Sequence, residues 1–551
     1  SSDQLSADIE TLKTYYLNRG YLKFKVDSVQ VSLSPDRKHV YISVRVTEGA
    51  QYHFSGFALT GRLIEPRAKL QKLVSIKKGD IYSKKTIVDS DQAIGDALGE
   101  HGYYWTKVVP APVVNEKAKT IFMNLKVVPG KRVYVRHILF EGNSKTNDTA
   151  FRRELTQFEG GLVSTKRVRN SKQNMMMLPF VQDVNVDAVP VPNSNNQVDL
   201  KYKVTTVPAG EIKAGVGYSD VDGMLLNAGV NQQNFFGTGN SFGINGSYSA
   251  SYLQASVNYF NPYYTPWGVG RGFSVYGSHY NADAANIADY AVNNYGASVT
   301  YSIPIARYDS FNIGFGVDYL SLSLSNDPST IMRAFADKHG KTFYQIPFNM
   351  GWTHNSLNRA IFPTRGLVQN LNLSVSIPVE SRSLEYYKAT YKLTFLHPLF
   401  YQFVGKLHGE VGYGAGYGGF SRLPFFKNFY AGGMGSVRGY DANTIGPQDS
   451  SGDPIGGNVL VDGTASLIVP NPLSRTLRTS IFFDAGNVFD TKATKAERDS
   501  NKDRSGLRYS TGVEFDWMSP MGLLNFSLAK ALNPSNQDDT TIFQFNIGTT
   551  F

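Results

Sequence analysis

The side chain best placed to make a specific contact is an arginine within a run of glycines. Arg438 lies in "KNFYAGGMGSVRGYDANTIG" (427–446), preceded by Val437 and followed by Gly439 and Tyr440. Glycine serves where a backbone turns sharply or approaches another group closely. A guanidinium held at the tip of such a loop needs a carboxylate, which it binds through two parallel hydrogen bonds that lysine does not reproduce. As an isolated string, a glycine-rich segment with one arginine is usually a flexible surface loop.

No arrangement of side chains in the sequence indicates catalysis. The nine histidines are scattered, with neither an HExxH motif nor metal-ligand spacing. One Gly-x-Ser-x-Gly string, "GNSFG" (239–243), joins two predicted strands, whereas a nucleophile elbow leads into a helix. Glu514 and Asp516 share the polar face of a predicted strand and are interpreted as channel lining. We therefore predict no enzyme, no metal site and no cofactor.

The composition excludes other classes of protein. The chain has 551 residues, a net charge of +10 and no cysteine, so it has neither a disulfide framework nor a thiolate metal site. Because the basic residues are dispersed, we expect no nucleic-acid partner; weak attraction to anionic lipid headgroups fits as well. No apolar run approaches the ~18 residues of a transmembrane helix. The chain opens inside a helical pattern without a signal peptide, so we expect further native sequence upstream.

The hydrophobic pattern changes its period near residue 208. Residues 1–207 mix helical periodicity with strands, whereas roughly sixteen segments of about ten residues, alternating apolar with polar or glycine, fill the remainder. In "FNIGFGVDYL" (311–320), aromatic and aliphatic side chains share one face, and Asn, Gly and Asp share the other. A polar face rich in ionisable groups and glycine, opposite an apolar face with aromatics near the strand ends, indicates a closed transmembrane barrel rather than a soluble sheet.

The first part of the chain repeats itself. "VRVTEGAQYHFSGFALTG" (44–61) and "LKVVPGKRVYVRHILFEG" (125–142) each contain a strand, a glycine turn and a second strand, and they start 81 residues apart. Helices ending in "LNRGY" (17–21) and "LGEHGY" (98–103) precede them, and "NNQVDLKYKVTTVP" (195–208) closes a third copy. This spacing is that of a small domain in tandem. Each unit is predicted as strand, helix, helix, strand, strand, and the first copy lacks its opening strand and helix.

These features together resemble a known superfamily, the POTRA-bearing outer-membrane insertases and exporters. Its members carry tandem units of this kind before a barrel, with "VRGY" in a late glycine-rich loop. A more specific resemblance is to its outer-membrane protein assembly factors, through segments that occur in the same order: "YVRHILFEGN" (134–143), "RRELTQFEG" (152–160), "NFFGTGNSFGINGSY" (234–248), "NFYAGGMGSVRGY" (428–440) and "FQFNIGTTF" (543–551). The resemblance spans essentially the whole chain.

The resemblance implies α+β POTRA repeats followed by an all-β, 16-stranded antiparallel transmembrane barrel. Residues 1–50 would be a partial third POTRA unit, 51–130 the fourth and 131–207 the fifth. The barrel would be 208–551, with the loop 420–457 folded into its lumen. The implied location is the bacterial outer membrane, with the POTRA units in the periplasm. The implied partners are unfolded outer-membrane barrel clients, accessory assembly lipoproteins, and the lipid bilayer with its lipopolysaccharide.

The resemblance also implies an acceptor for the loop arginine. In this superfamily the arginine contacts an aspartate on a lumen-facing strand, which corresponds to Asp484 in "RTSIFFDAGNVF" (478–489). The family's second acidic partner is expected on the preceding strand. Its place falls near Ile468, which is not acidic, so the resemblance supplies only one carboxylate for Arg438.

A closed barrel must pair its first strand with its last. The first, "GEIKAGVGYS" (210–219), contains glycines, which weaken a strand. The last, "TIFQFNIGTTF" (541–551), ends in an aromatic residue, which is common among such barrels and is interpreted as a signal for the protein's own insertion. A seam with few ladder bonds would open and template an incoming strand. The predicted seam residues are Ile212, Ala214, Gly215, Val216 and Gly217 on the first strand, and Phe543, Phe545, Ile547, Gly548 and Phe551 on the last.

The predicted function is therefore the insertion of other barrels by strand exchange at this seam, with the POTRA units guiding clients through their open sheet edges. Arg152, Arg153 and Glu159 lie on or near one helix of the last unit, where the family docks accessory lipoproteins, so a partner contact is predicted there, although such charges usually face solvent. The alternative function is a polypeptide-exporting pore of the same superfamily. The partial third copy at 1–50 argues against it.

Overall fold

The computed structural model describes residues 2–33, 40–142, 145–208, 210–306, 308–359, 362–471, 476–519 and 522–547. The chain divides into two compact units, residues 1–208 and 209–551. No helix among the described residues has both the length and the apolar character needed to cross a bilayer.

The first unit contains three small sheets, each accompanied by helices. Its opening repeat consists of α1 (Ser2–Leu17), β1 (Lys25–Leu33) and β2 (Val40–Thr47). The second repeat consists of β3 (His53–Gly61), α2 (Arg67–Gln71), α3 (Lys84–Gly99), β4 (Lys107–Asn115) and β5 (Thr120–Val128). The third consists of β6 (Tyr134–Glu141), α4 (Asp148–Arg152), α5 (Thr165–Met176), β7 (Val181–Pro190) and β8 (Gln197–Thr206). The two complete sheets have the same order, β3-β5-β4 and β6-β8-β7, with the last strand in the centre.

The same glycine contact joins successive repeats. Gly20 and Gly102 follow α1 and α3, with φ of 93° and 90°, a backbone conformation that favours glycine. The Gly20 carbonyl accepts a hydrogen bond from Tyr52 N at 2.8 Å, and the Gly102 carbonyl accepts one from Val133 N at 2.9 Å. The segments "LNRGY" and "LGEHGY" are therefore the joints between repeats.

Helices α3 and α5 of the last two repeats also contact each other. Arg169 donates two hydrogen bonds to the Asp96 carboxylate, at 2.8 and 2.5 Å. A Cβ atom on Gly99 would lie 2.2 Å from Thr165 Oγ1, so α5 packs where a side chain would otherwise stand. Gly95, one turn earlier in α3, has open space at the equivalent position.

We expect Gly99→Ala to push α5 away from α3 and to accelerate amide hydrogen exchange in the first turn of α5. Gly95→Ala is the matched control, because the same substitution on the same helix meets no neighbour and gains about 1 kcal/mol of helix propensity. Equal exchange rates in α5 of the two variants, measured on the full chain, would contradict this close packing.

The second unit is a closed barrel of sixteen strands, each antiparallel to its neighbours, so the prediction of the barrel is confirmed. Its strands are β9 (Gly210–Ser219), β10 (Gly223–Phe235), β11 (Asn240–Tyr248), β12 (Tyr252–Asn261), β13 (Gly270–Asn281), β14 (Tyr290–Ala306), β15 (Asp309–Leu324), β16 (Thr342–Asn355), β17 (Gly366–Ile377), β18 (Tyr386–Pro398), β19 (Val404–Gly416), β20 (Val459–Val469), β21 (Leu477–Phe489), β22 (Arg508–Ser519), β23 (Gly522–Ala531) and β24 (Phe543–Ile547). Along β15, the side chains of Phe315 and Val317 are exposed on the outer face, whereas the side chain of Asp318 is buried on the inner face. The apolar outer face and polar inner face suit a barrel embedded in lipid.

The two rims of the barrel differ. At the rim where the chain enters β9, called here the entry rim, the connections are mostly short turns. The opposite rim, called the loop rim, carries α6 (Thr330–His339), α7 (Lys495–Ser500) and the long segment 417–458 between β19 and β20. An apolar cluster that includes Met332, Phe343 and Phe425 is buried at the loop rim, and it fixes α6 and the long loop against the strands.

Candidate functional site

The segment 417–458, called the inward loop, lies against the inner face of the barrel wall. Bridges between Phe429 and Gly457 and between Ala431 and Ile445 fold it into an antiparallel ribbon. Its apolar side chains, with those of β20 and β21, form a buried cluster of Phe429, Ala431, Val437, Tyr440, Ile445, Leu460 and Val488. Asn443 Nδ2 donates to the Ala285 carbonyl at 2.9 Å, after β13. The ribbon therefore reaches across the lumen as well as along the wall.

At the tip of this ribbon, Arg438 binds Asp484 of β21 through two parallel hydrogen bonds. Nε donates to Oδ2 at 2.8 Å and Nη2 donates to Oδ1 at 2.7 Å. The backbone N–H of Arg438 donates to Oδ2 as well, at 3.1 Å. The Arg438 side chain is 5% exposed and that of Asp484 is 0% exposed. This is the bidentate geometry that a planar guanidinium favours and an ammonium group does not provide.

A second carboxylate and an aromatic ring complete the surroundings of Arg438. Nη1 lies 2.8 Å from Oε2 of Glu514, whose side chain is 15% exposed. The guanidinium carbon lies 3.4 Å from the centroid of the Phe482 ring, an arrangement suited to a cation–π interaction. Asp484 and Phe482 are two residues apart on β21 and therefore share its inner face. Glu514 belongs to β22, so two neighbouring strands hold all three groups.

The family resemblance left open whether Arg438 has a second acidic partner. The position that the family uses falls near Ile468 on the preceding strand, and that residue is buried in an apolar cluster with Leu396 and Val404. The second carboxylate is Glu514, on the following strand, which the sequence had suggested as channel lining. Alternation correctly placed Glu514 on the lumen face. Its distance from Arg438 depends on the register of β21 against β22, where Asp484 faces Ser510, and the pattern does not specify that register.

Two glycines allow the loop tip to approach the wall. Gly439 has φ of 84°, and a Cβ there would lie 3.2 Å from Ala529 Cβ of β23. On β21, a Cβ at Gly486 would lie 2.8 Å from Val437 Cγ2. Larger side chains at these positions would separate the tip from the strands, and the arginine would no longer reach Asp484.

Among the described residues, the seam between β9 and β24 is much shorter than the ladder between β9 and β10. Within the described residues, two register pairs join the strands, Tyr218–Ile547 and Ser219–Asn546. On its other side, β9 pairs with β10 along its whole length, from Gly210 to Ser219. The rings of Tyr218 and Phe545 stack across the seam with centroids 5.7 Å apart.

The predicted seam residues lie on these two strands. On β9, Ile212 and Val216 are 82% and 70% exposed on the outer surface, and Ala214, Gly215 and Gly217 belong to the stretch that has no partner among the described residues of β24. On β24, the side chain of Phe543 is half-exposed. Gly548 and Phe551 lie outside the described residues.

Two of the three residues predicted to contact a partner, Arg152 and Glu159, make hydrogen bonds within the third repeat itself. Arg152 Nη2 donates to the Ile138 carbonyl at 2.9 Å, and Glu159 Oε1 accepts from Ile138 N at 2.7 Å. Both side chains thereby hold the irregular part of β6, where its register shifts between Val135 and Ile138. Arg153 follows α4 as its C-terminal cap residue. Because the Arg152 and Glu159 side chains stay about 40% exposed, a partner contact there remains a prediction.

We expect Asp484→Asn to free the inward loop more than Glu514→Gln does. Breaking a buried pair from one side costs about 3–5 kcal/mol, and Asp484 is the more buried carboxylate with three hydrogen bonds from Arg438. Trypsin sensitivity of residues 427–446 in the folded barrel measures the release. Glu410→Gln is the matched control, since Glu410 pairs with Lys392 on the barrel wall at 2.8 Å. Greater release by Glu514→Gln would contradict the ranking.

Comparisons with known proteins agree with this architecture. A profile of the Omp85 superfamily domain matches residues 234–551, and the POTRA profile, described as a surface antigen variable number repeat, matches residues 1–49, 52–130 and 133–206. The outer membrane protein assembly factor BamA of Neisseria meningitidis is 33% identical over 586 aligned residues, which cover 100% of this chain and 73% of that protein.

Solved structures give a consistent picture. The crystal structure of BamA from Haemophilus ducreyi lacking POTRA domains 1–3 is similar with a TM-score of 0.78 and 31% identity, over 91% of this chain and 100% of that one. CdiB from Acinetobacter baumannii, with a TM-score of 0.51 and 14% identity, covers 99% of this chain and 97% of its own, and shows a shared fold alone.

Proposed function

Because the chain belongs to the BamA family of outer membrane protein assembly factors, within the Omp85 superfamily, we propose that it inserts client barrels through the seam between β9 and β24. It is a protein of the bacterial outer membrane with its POTRA repeats in the periplasm, so the entry rim faces the periplasm. The mechanism at the seam is our proposal. It rests on the contrast between the two edges of β9.

The observation that carries the proposal is that two register pairs join β9 to the described residues of β24, whereas ten join it to β10. Between Gly210 and Gly217, no described residue of β24 lies opposite β9. Backbone N–H and C=O groups without partners cost several kcal/mol each in hydrocarbon. An exposed strand edge of this kind is a template for pairing with another strand. A client strand that adds to β9 satisfies those groups and gains hydrogen bonds for its own backbone.

Insertion then proceeds by exchange of strand pairs. The client adds further strands to its first one, each pairing with the last, so its backbone groups are satisfied as they enter the bilayer. Release occurs when the client's own first and last strands pair with each other. Burial of apolar side chains in lipid and closure of the client drive the process. We propose no catalytic step and no cofactor.

We propose that the POTRA repeats guide unfolded clients by pairing with extended segments at their sheet edges. The edges of the second and third repeats are β3 and β4, and β6 and β7. Pro110 and Pro112 remove two backbone donors from β4, so β7, which has no proline before Pro190, is the better edge for strand addition.

The exposed Arg152–Glu159 pair is the surface that we propose for an accessory lipoprotein.

Depletion of the protein in its host distinguishes assembly from export. We expect the folded forms of many outer-membrane barrels to decline together, because each needs the same template. Quantitative mass spectrometry of the outer membrane, with heat-modifiable gel mobility to score folding, makes the measurement. A loss restricted to one secreted polypeptide, with all other barrels folding at their normal rate, would favour the exporting pore instead.

A disulfide across the seam tests the mechanism directly. The chain has no cysteine, so Ser219→Cys with Asn546→Cys introduces a single bond across the seam. We expect the oxidised protein to lose client insertion in proteoliposomes and the reductant to restore it. The matched control is Asn227→Cys with Ser247→Cys, a pair between β10 and β11. Undiminished insertion by the oxidised seam variant would refute the seam mechanism.

A further inference from the structure

Gln544 connects the last strand of the barrel to the tip of the inward loop. It lies on β24 between Phe543 and Phe545, and only 2% of its surface is exposed. Its Oε1 accepts a hydrogen bond from Gly439 N at 3.2 Å, and its Nε2 donates to the Tyr440 carbonyl at 2.7 Å. One side-chain amide thus binds two consecutive residues of the loop, directly after Arg438.

The segment before β24 makes further bonds to the same part of the loop. Thr541 N donates to the Gly439 carbonyl at 3.2 Å, and Asp441 N donates to the Asp539 carbonyl at 3.0 Å. The Thr541 hydroxyl also donates to the Asp441 carboxylate. At the loop rim, the last strand is therefore bonded to the loop and to β23, while two register pairs join its described residues to β9.

We propose that Gln544 is a positioning residue that couples the docking of the Arg438 loop to the position of the last strand at the seam. The consequence for insertion depends on the proposed function, but the coupling itself is a property of the protein without clients. While Arg438 is bound to Asp484, residues 439–441 are fixed and hold the loop-rim end of β24. Release of the arginine removes this support.

The chemistry of an amide suits this position. The loop presents one donor, Gly439 N, and one acceptor, the Tyr440 carbonyl, and only a side chain with both a donor and an acceptor satisfies both. A glutamate would keep the bond to Gly439 but would place a carboxylate against the Tyr440 carbonyl. A leucine would fill the space but would leave Gly439 N without a partner, at a cost typical of a buried unsatisfied polar group. The Tyr440 carbonyl would keep only its second hydrogen bond, from Gly433 N at 3.1 Å.

A coupling must act in both directions, whereas a purely structural amide affects only its own contacts. Amide hydrogen exchange of the full chain in lipid nanodiscs, read in segments 429–446 and 541–547, tests this. We expect Gln544→Leu to accelerate exchange in the loop by about tenfold, the factor for one to two lost buried hydrogen bonds. We expect Arg438→Ala, which does not touch β24 through its side chain, to accelerate exchange in 541–547 by a similar factor. In the variant that combines both substitutions, we expect exchange to accelerate by less than the product of the two single accelerations.

The matched control is Gln345→Leu. Gln345 is a buried glutamine of β16 whose amide donates to Asp318 at 3.2 Å and accepts from Ser376 at 2.9 Å, both on the barrel wall. We expect this variant to leave exchange in both segments at the original rates. Gln544→Glu serves as the second variant if Gln544→Leu does not fold, and we expect an intermediate acceleration from it.

The coupling is overturned if Gln544→Leu, or Gln544→Glu in its place, leaves the loop unchanged, or if Arg438→Ala leaves 541–547 unchanged. Gln544 would then be an ordinary buried amide. Because exchange is measured without clients, this result is independent of the seam mechanism. Insertion that continues with the seam oxidised would refute the mechanism and leave the coupling in place.

Discussion

The interaction on which the barrel interior depends is the buried ion pair between Arg438 and Asp484. A charge removed from water must be paired and hydrogen-bonded, and here three hydrogen bonds from one arginine converge on a carboxylate with no exposed surface. Glu514 and the Phe482 ring occupy the remaining sides of the guanidinium. Leaving either partner alone in the interior is costly. The loop must therefore run along the wall, with glycine at the position of closest approach.

This constraint extends from the loop to the barrel wall. The arginine is held by β21 and β22, its neighbours Gly439 and Tyr440 contact β24, and β24 closes the barrel against β9. Most strands of the barrel form long ladders, for example from Gly270 to Asn281 on β13. The seam has the fewest ladder bonds between described residues, and the loop supports it from inside. In the mechanism that we propose, an inserting strand enters at this line of the barrel wall, which faces the lipid.

Much of this architecture is visible in the sequence, for a physical reason. A barrel wall between lipid and water imposes strict alternation, so the strands were predicted from the pattern, and β9 begins and ends at the predicted Gly210 and Ser219. The partnership of Arg438 with Asp484 was implied by the family resemblance. Glu514 was missed because contacts across neighbouring strands depend on register. Gln544 was missed because one polar residue facing the lumen is indistinguishable from ordinary lining until the loop's path is known.

The most direct measurement follows a client strand at the moment of pairing. Val216→Cys places a thiol on the outer face of β9, and Val275→Cys places one on the outer face of β13, which is paired on both sides. Disulfide trapping against single cysteines along a client's terminal strand, during insertion, reports which strand it joins. Addition to the edge of β9 in one register predicts a disulfide between the cysteine at position 216 and the one client residue directly opposite it, and none to position 275. Equal trapping at both positions, or none at 216, would contradict the account.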